Sequence, residues 1–95
     1  MAEIGSHGAR IKGAILSAGL ALWPHVTARA VGARVGLTHS AVLYHFGTTD
    51  DLRAAVAAEA VRLGHAGIVP QLITANDPAA AGISPERRRE YLAGC

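Results

Sequence analysis

Cysteine is almost absent from this sequence, because the single Cys95 is the last of its 95 residues. An internal disulfide framework and a zinc site with several cysteine ligands are therefore excluded. Aromatic residues are also scarce, at one Trp, two Tyr and one Phe, whereas alanine and glycine make up almost a third of the chain. Many alanines with few aromatics favour closely packed helices over sheet, so we predict a small all-α protein.

Acidic residues are missing from Ile4 to Thr49, although the chain as a whole has seven. The same segment carries four permanently charged cations and four histidines: Arg10, Lys12, Arg29 and Arg34, with His7, His25, His39 and His45. From Asp50 onward, six acids stand against five arginines, so positive charge is concentrated in the first half. This asymmetry indicates a polyanionic partner for the first half of the chain.

Catalytic and ligand-binding motifs are missing as well. No nucleophile–base–acid set, phosphate-binding glycine loop or pair of carboxylates stands out, so neither an enzyme activity nor a cofactor is predicted. His39 and His45 are not at i,i+4 spacing, so no metal site is expected. The uncharged run 13–28 is too short for a membrane span and contains Pro24, so no membrane association is predicted.

Hydrophobic residues recur at helical spacing in four segments. We predict helices over Gly8–Trp23, Ala28–Val35, Thr38 to about Phe46, and Thr49–Ala66. Thr27 and Thr38 suit helix N-caps, Gly36 suits a left-handed residue between them, and Thr48 with Asp51 has the form of a capping box. The residues expected to face the core are Ile11, Ala14, Ile15, Ala18, Leu22, Val31, Val35, Val42, Phe46, Leu52, Val56, Ala60 and Leu63.

The pattern weakens after Ala66, so residues 67–95 are predicted to form an irregular tail. A short helical turn is expected over 71–75. A last helix is expected over Pro85–Ala93, because Ser84 can cap it and proline suits its first position. Arg87, Arg88 and Arg89 have acidic neighbours, which favours a solvated helix face.

A helix, a glycine-containing turn and a second short helix over Thr27–Phe46 form a helix-turn-helix pattern. The close approach of the two helices requires a small residue, either Gly32 or Ala33. With Val42 and Phe46 facing inward, the outward face of the second helix carries small and hydrogen-bonding side chains that can reach base edges in a major groove.

A longer series of motifs surrounds this pattern. It runs through Ile15-Leu16-Ser17-Ala18, Leu20-Ala21-Leu22-Trp23, Val26-Thr27-Ala28-Arg29-Ala30-Val31-Gly32, Val35-Gly36-Leu37-Thr38, Leu43-Tyr44-His45-Phe46-Gly47-Thr48 and Asp50-Asp51-Leu52. In order and spacing the series resembles the amino-terminal DNA-binding domain of TetR-type transcriptional repressors. The resemblance extends through the fourth helix, so residues 8–66 are interpreted as this domain.

The resemblance implies an all-helical protein that binds palindromic operator DNA as a dimer in the bacterial cytoplasm. Thr27 would then contact a phosphate, and Arg29 a base or a phosphate. The residues facing the groove would be Thr38, His39, Ser40 and Ala41, while Tyr44 and His45 would lie against the DNA backbone. Thr49 stands where the family usually has a phosphate-contacting lysine, which predicts weaker binding with a lower salt dependence.

Family members continue into a long helical domain that binds an inducer and forms the dimer. This sequence ends about where that domain begins, so no small-molecule inducer is expected. Val56, Ala60 and Leu63 would be left uncovered, and an exposed apolar stripe tends to find a cover. Either the tail residues Ile68, Val69, Leu72 and Ile73 fold back over it, or two copies pair. We expect a weak homodimer that DNA promotes.

Two other interpretations stay open. The domain could bind a protein, for example by pairing with a full-length repressor, and leave DNA uncontacted. Alternatively, Arg10 and Lys12, the apolar run after them and Ala28-Arg29-Ala30 mimic a signal peptide over residues 1–30, which would release a secreted peptide. That cleavage would fall inside the helix-turn-helix pattern.

Overall fold

The computed structural model describes residues 2–93, with side chains from Gly8 onward; Cys95 lies outside the described residues. The described chain is helical, with no β-strand in it, which confirms the all-α prediction. In chain order the elements are α1 (Ala2–Leu22), α2 (Ala28–Val35), α3 (His39–Phe46), α4 (Thr49–Leu63), α5 (Val69–Thr74), a 3-10 turn η1 (Pro78–Ala80) and α6 (Pro85–Ala93).

Helices α1 and α4 depart from their predicted bounds. Helix α1 begins at Ala2, well before Gly8, because nothing in residues 2–7 forces a break and a single Gly5 is tolerated in a helix. Helix α4 ends at Leu63, before Ala66, because Gly64 adopts a left-handed conformation with φ of 66°. None of the helices over residues 2–93 is long and apolar enough to cross a membrane.

The chain divides into two compact units within α4, one through Val56 and one from Ala57 onward, whereas the boundary expected from the sequence lies after Ala66. The first unit has a core of buried side chains from α1 to α4: Ile15, Ala18, Val26, Ala28, Val31, Val42, Leu52 and Val56. Val56 packs directly against Gly19 of α1, where a Cβ atom would collide with it. Ala14, expected to face the core, is exposed.

The second unit is more ordered than the irregular tail predicted from the sequence. It has its own buried residues, namely Ala57, Ala60, Ile68, Val69, Leu72 and Ala80. Of the two covers expected for the apolar stripe of α4, a second copy is not needed for Val56 and Ala60, since both are fully buried within the single chain. The tail residues Ile68, Val69 and Leu72 are buried as well, and Ile73 is half-buried. Leu63 is different, because its residue surface stays 52% exposed, and Leu92 on α6 is 44% exposed.

The start of α6 forms as the sequence predicts. The Ser84 hydroxyl accepts a hydrogen bond from the Arg87 backbone N–H at 3.2 Å, as an N-cap does. The prediction of a solvated arginine face is wrong for Arg88. Its side chain is half-buried and donates from Nε to the Ile83 carbonyl at 3.0 Å and from Nη2 to the Ala80 carbonyl at 2.7 Å.

Candidate nucleic-acid interface

Helix α2 begins at the threonine predicted to cap it. Thr27 has extended backbone dihedrals, and its hydroxyl accepts a hydrogen bond from the Ala30 N–H at 3.0 Å. This bond satisfies one of the free donors of the first turn. Arg29 lies in that turn and is exposed, whereas Val31 is fully buried. The start of α2 therefore presents a threonine and a guanidinium to solvent while its other side anchors the helix.

The turn between α2 and α3 depends on two glycines. Gly36 takes a left-handed conformation, with φ of 78° and ψ of 30°, which ends α2 as predicted. Gly32 is buried at the place where the turn folds back, and a Cβ on it would collide with the Leu37 carbonyl oxygen. Of the two small residues considered for this approach, Gly32 is the one required, because Ala33 is exposed.

Helix α3 begins at Thr38, whose hydroxyl accepts a hydrogen bond from the Ala41 N–H at 3.1 Å. Its inward side is pinned by Val42, which is fully buried, while Leu43 and Phe46 pack partly buried against the same core. The other side carries the residues predicted to meet DNA. Thr38, His39 and Ser40 are exposed, and Ala41 is half-buried.

Tyr44 and His45 continue this accessible side towards the end of α3. Tyr44 is 86% exposed, more than any other large hydrophobic residue in the described part of the chain. The His45 ring is half-buried and meets the Tyr44 ring edge-on, with 5.4 Å between centroids and 84° between planes. Such a pair limits the orientations of both rings at the surface.

The start of α4 carries Thr49, the last of the residues predicted to contact DNA. The Thr48 hydroxyl accepts from the Asp51 N–H, and an Asp51 carboxylate oxygen accepts from the Thr48 N–H, both at 3.1 Å. This reciprocal pair is the capping box expected from the sequence. Thr49 follows it directly and is exposed, and so is Asp50. One of the two carboxylates at this end is thus committed to the cap.

The predicted interface residues are all accessible and come from three helix starts and one helix face. Thr27 and Arg29 lie at the start of α2, Thr49 at the start of α4, and the other six on α3 or at its cap. Helix α3 packs against α2, which packs against α1. Among residues 8–93, neither Arg29 nor Arg34 forms an ion pair; the ion pair present there joins Arg62 to Glu59.

One interaction beside this surface is not predicted from the sequence. The Arg53 guanidinium lies over the Trp23 ring, 4.3 Å from its centroid, and donates from Nη1 to the Pro24 carbonyl at 2.6 Å. Trp23 itself packs partly buried against the core. The only signal in the sequence is an arginine one position after Leu52, which does not reveal a partner 29 residues away.

Metal binding has no support in the described part of the chain, where no three His, Cys, Asp or Glu side chains are grouped closely enough to hold an ion. No protein-family model matches the sequence, and no curated protein or solved structure is detectably similar to it.

Proposed function

We propose that this protein is a sequence-specific duplex-DNA-binding transcriptional regulator of the repressor type, acting in the bacterial cytoplasm. One observation carries the proposal: every residue predicted to meet DNA is exposed or half-buried, while Ala28, Val31 and Gly32 of α2 and Val42 of α3 are buried. Thr38, His39 and Ser40 are exposed on α3, and Val42 beneath them is fully buried. A short helix held in this way is free to present one side to a groove.

The chemistry of the α3 side fits base recognition. Threonine and serine hydroxyls and imidazole nitrogens form hydrogen bonds with base edges, and the small Ala41 allows close approach or contact with a thymine methyl group. Tyr44 and His45 can donate hydrogen bonds to phosphate oxygens, which fix the orientation of a protein on the duplex. Arg29 adds a guanidinium, the side chain best suited to guanine or phosphate.

The electrostatic balance supports a polyanion at this surface. No acid lies between Ile4 and Thr49, and the fixed cations Arg10, Lys12, Arg29 and Arg34 are all exposed. The nearest acids in sequence, Asp50 and Asp51, stand at the start of α4, where the Asp51 carboxylate accepts the capping hydrogen bond from the Thr48 N–H. Few cations imply few phosphate contacts, so we expect modest affinity with a shallow salt dependence.

Tight operator binding generally requires two half-sites about one helical turn apart, so we propose that DNA promotes a weak homodimer. Val56 and Ala60 are fully buried within one chain, so they are not available for a contact between two copies. Leu63 on α4 and Leu92 on α6 are the large apolar side chains of the second unit that stay substantially exposed, and they support a protein contact there.

Selection of bound sequences from a random duplex library tests the proposal. We expect recovery of a common motif, and the full chain should then shift a duplex with that motif but not a scrambled one. Recovery of no motif would contradict it. If the duplex shifts only after a full-length TetR-type repressor is added, the protein-pairing interpretation is correct instead.

Intact-mass measurement on the protein from its native cell tests the secreted-peptide interpretation. We expect residues 1–30 to be retained, because Ala28 is buried at the start of α2 and cleavage after Ala30 would cut that helix. A secreted form lacking those residues would contradict the regulator proposal.

A further inference from the structure

The second unit contains an open cleft of about 390 Å³ that the DNA-binding proposal does not use. Val61 of α4 and Ile83 of the turn before α6 supply its apolar walls, and the rest of the lining is Gly82, Ser84, Arg87 and Tyr91. All six residues belong to the unit that begins at Ala57. This volume is at the low end of the range for small-molecule sites.

The turn that forms one wall of the cleft is fixed before any ligand arrives. Arg88 donates to the carbonyls of Ala80 and Ile83, and the Ile83 N–H donates back to the Ala80 carbonyl at 3.1 Å. Ser84 then caps α6 through the Arg87 N–H. Because these bonds hold the turn, little conformational freedom is lost on binding, and preorganisation of this kind favours affinity.

Arg87 brings a positive charge to the edge of the cleft. Its Cζ lies 5.6 Å from the centroid of the Tyr91 ring, and its Nη2 donates to the Tyr91 hydroxyl at 3.1 Å. A guanidinium has five N–H donors in a fixed fork that matches a carboxylate. Arg87 forms no ion pair within residues 8–93, so some of its N–H donors are available for an anion.

Two acids on α6 set a limit to the negative charge that the cleft can accept. Glu86 and Glu90 are exposed neighbours of Arg87 on the same helix. They oppose a highly charged anion such as a phosphate, whereas a single negative charge directly on the guanidinium is repelled less. The apolar walls favour a ligand with an apolar body.

From these four features we propose that the cleft binds a small amphipathic monocarboxylate, with its carboxylate on Arg87 and its apolar body against Val61, Ile83 and the Tyr91 ring. A ligand here departs from the sequence-based expectation that no small-molecule inducer binds. The proposal does not depend on DNA binding, since none of these residues belongs to the α2–α3 surface. Arg87 serves as the anion-binding residue, and Arg88 as the residue that positions the wall.

Phenylacetate is the probe for the test, with phenylacetamide as its neutral analogue of nearly the same shape. Phenylacetate, phenylacetamide and inorganic phosphate are each titrated into the full-length chain while backbone amide shifts are followed by NMR. We expect saturable shifts over residues 82–91 with phenylacetate, at a dissociation constant of millimolar order for so small a ligand. Phenylacetamide should bind about tenfold more weakly, because it lacks the charge that pairs with Arg87.

Adjacent arginines on α6 provide a matched control. Arg87→Gln should weaken phenylacetate binding about tenfold, while Arg89→Gln removes the same charge from an exposed position outside the cleft and should leave it nearly unchanged. Circular dichroism establishes that both variants keep their helix content. Equal binding of acid and amide, equal loss in the two variants, phosphate binding as tight as phenylacetate binding, or no saturable shift would each overturn the proposal.

Discussion

The guanidinium of Arg53 covers the face of the Trp23 indole, with Cζ 4.3 Å from the ring centroid. The same side chain donates to the carbonyl oxygen of Pro24 at 2.6 Å, so it contacts two consecutive residues just after the end of α1. One residue of α4 thereby fixes the chain where α1 gives way to the segment leading into α2. Thr27, which caps α2, follows Pro24 by three residues.

Replacement of Arg53 is expected to destabilise the first unit. Arg53→Ala removes the cation–π contact and a hydrogen bond from a charged donor, which together should lower the free energy of unfolding by about 1–2 kcal/mol. Urea denaturation followed by Trp23 fluorescence measures the change. Arg53→Lys should recover only part of it, since an ammonium lacks the planar face that stacks on the indole. An unchanged midpoint for Arg53→Ala would show that the contact is not formed in solution.

The cap of α3 should be measurable in the same way. Thr38→Ala removes the hydroxyl that accepts the Ala41 N–H and should cost about 1 kcal/mol. Ser40→Ala is the matched control, because Ser40 is exposed on the same helix and should change stability by no more than about 0.5 kcal/mol. Equal effects of the two substitutions on the denaturation midpoint would argue against the cap.

Short-range features of this fold could be predicted from the sequence, because the responsible residues are neighbours in the chain. Thr27, Thr38 and the Thr48–Asp51 pair bond to backbone or side-chain atoms three residues away, and Gly36 needs only its own dihedral angles. Their types and positions therefore determine the starts of α2, α3 and α4 and the turn between α2 and α3.

Contacts between distant residues could not be predicted in this way. The partners of Arg53 lie just after α1, far from it in the sequence. The carbonyls bound by Arg88 approach it only after the chain turns between η1 and α6. Helical spacing places Ala60 on the apolar stripe of α4, but it does not specify which residues of the second unit cover it. For the candidate interface, the sequence indicates which residues could contact DNA, and the structure shows that their side chains are accessible.

A positive charge introduced at position 49 should strengthen DNA binding. Thr49→Lys adds a positive charge at the exposed first position of α4, next to the capping box. If this helix start approaches the DNA backbone, affinity should rise and the slope of log K against log salt should steepen by about one unit. Fluorescence anisotropy at several salt concentrations measures the slope. An unchanged slope would mean that α4 does not reach a phosphate.

A substitution at Leu63 tests whether the protein forms the proposed homodimer on DNA. Leu63→Asp places a charge on a residue that is 52% exposed, so helix content should be almost unaffected, while operator affinity should fall sharply if two copies pair through this region. Ala58→Asp is the control, since it adds the same charge at an exposed position of the same helix. Sedimentation that finds only monomer, both free and on a two-half-site duplex at micromolar concentration, would contradict the dimer.

Arg29 and His45 test the central claim most directly, because they lie on different helices of the candidate interface. Arg62 provides the control: it is an exposed arginine near the end of α4 that pairs with Glu59 and holds the pKa of that carboxyl below its ordinary value. Arg62→Ala thus removes the same charge away from the interface.

The decisive measurement is anisotropy of the selected duplex titrated at low salt with the parent chain, Arg29→Ala, His45→Ala and Arg62→Ala. Loss of Arg29 should cost roughly 1–3 kcal/mol of binding free energy, and loss of His45 should also weaken binding, whereas Arg62→Ala should bind almost like the parent. Binding by Arg29→Ala and His45→Ala that equals the parent's would contradict the assignment of α2 and α3 as the DNA-binding surface.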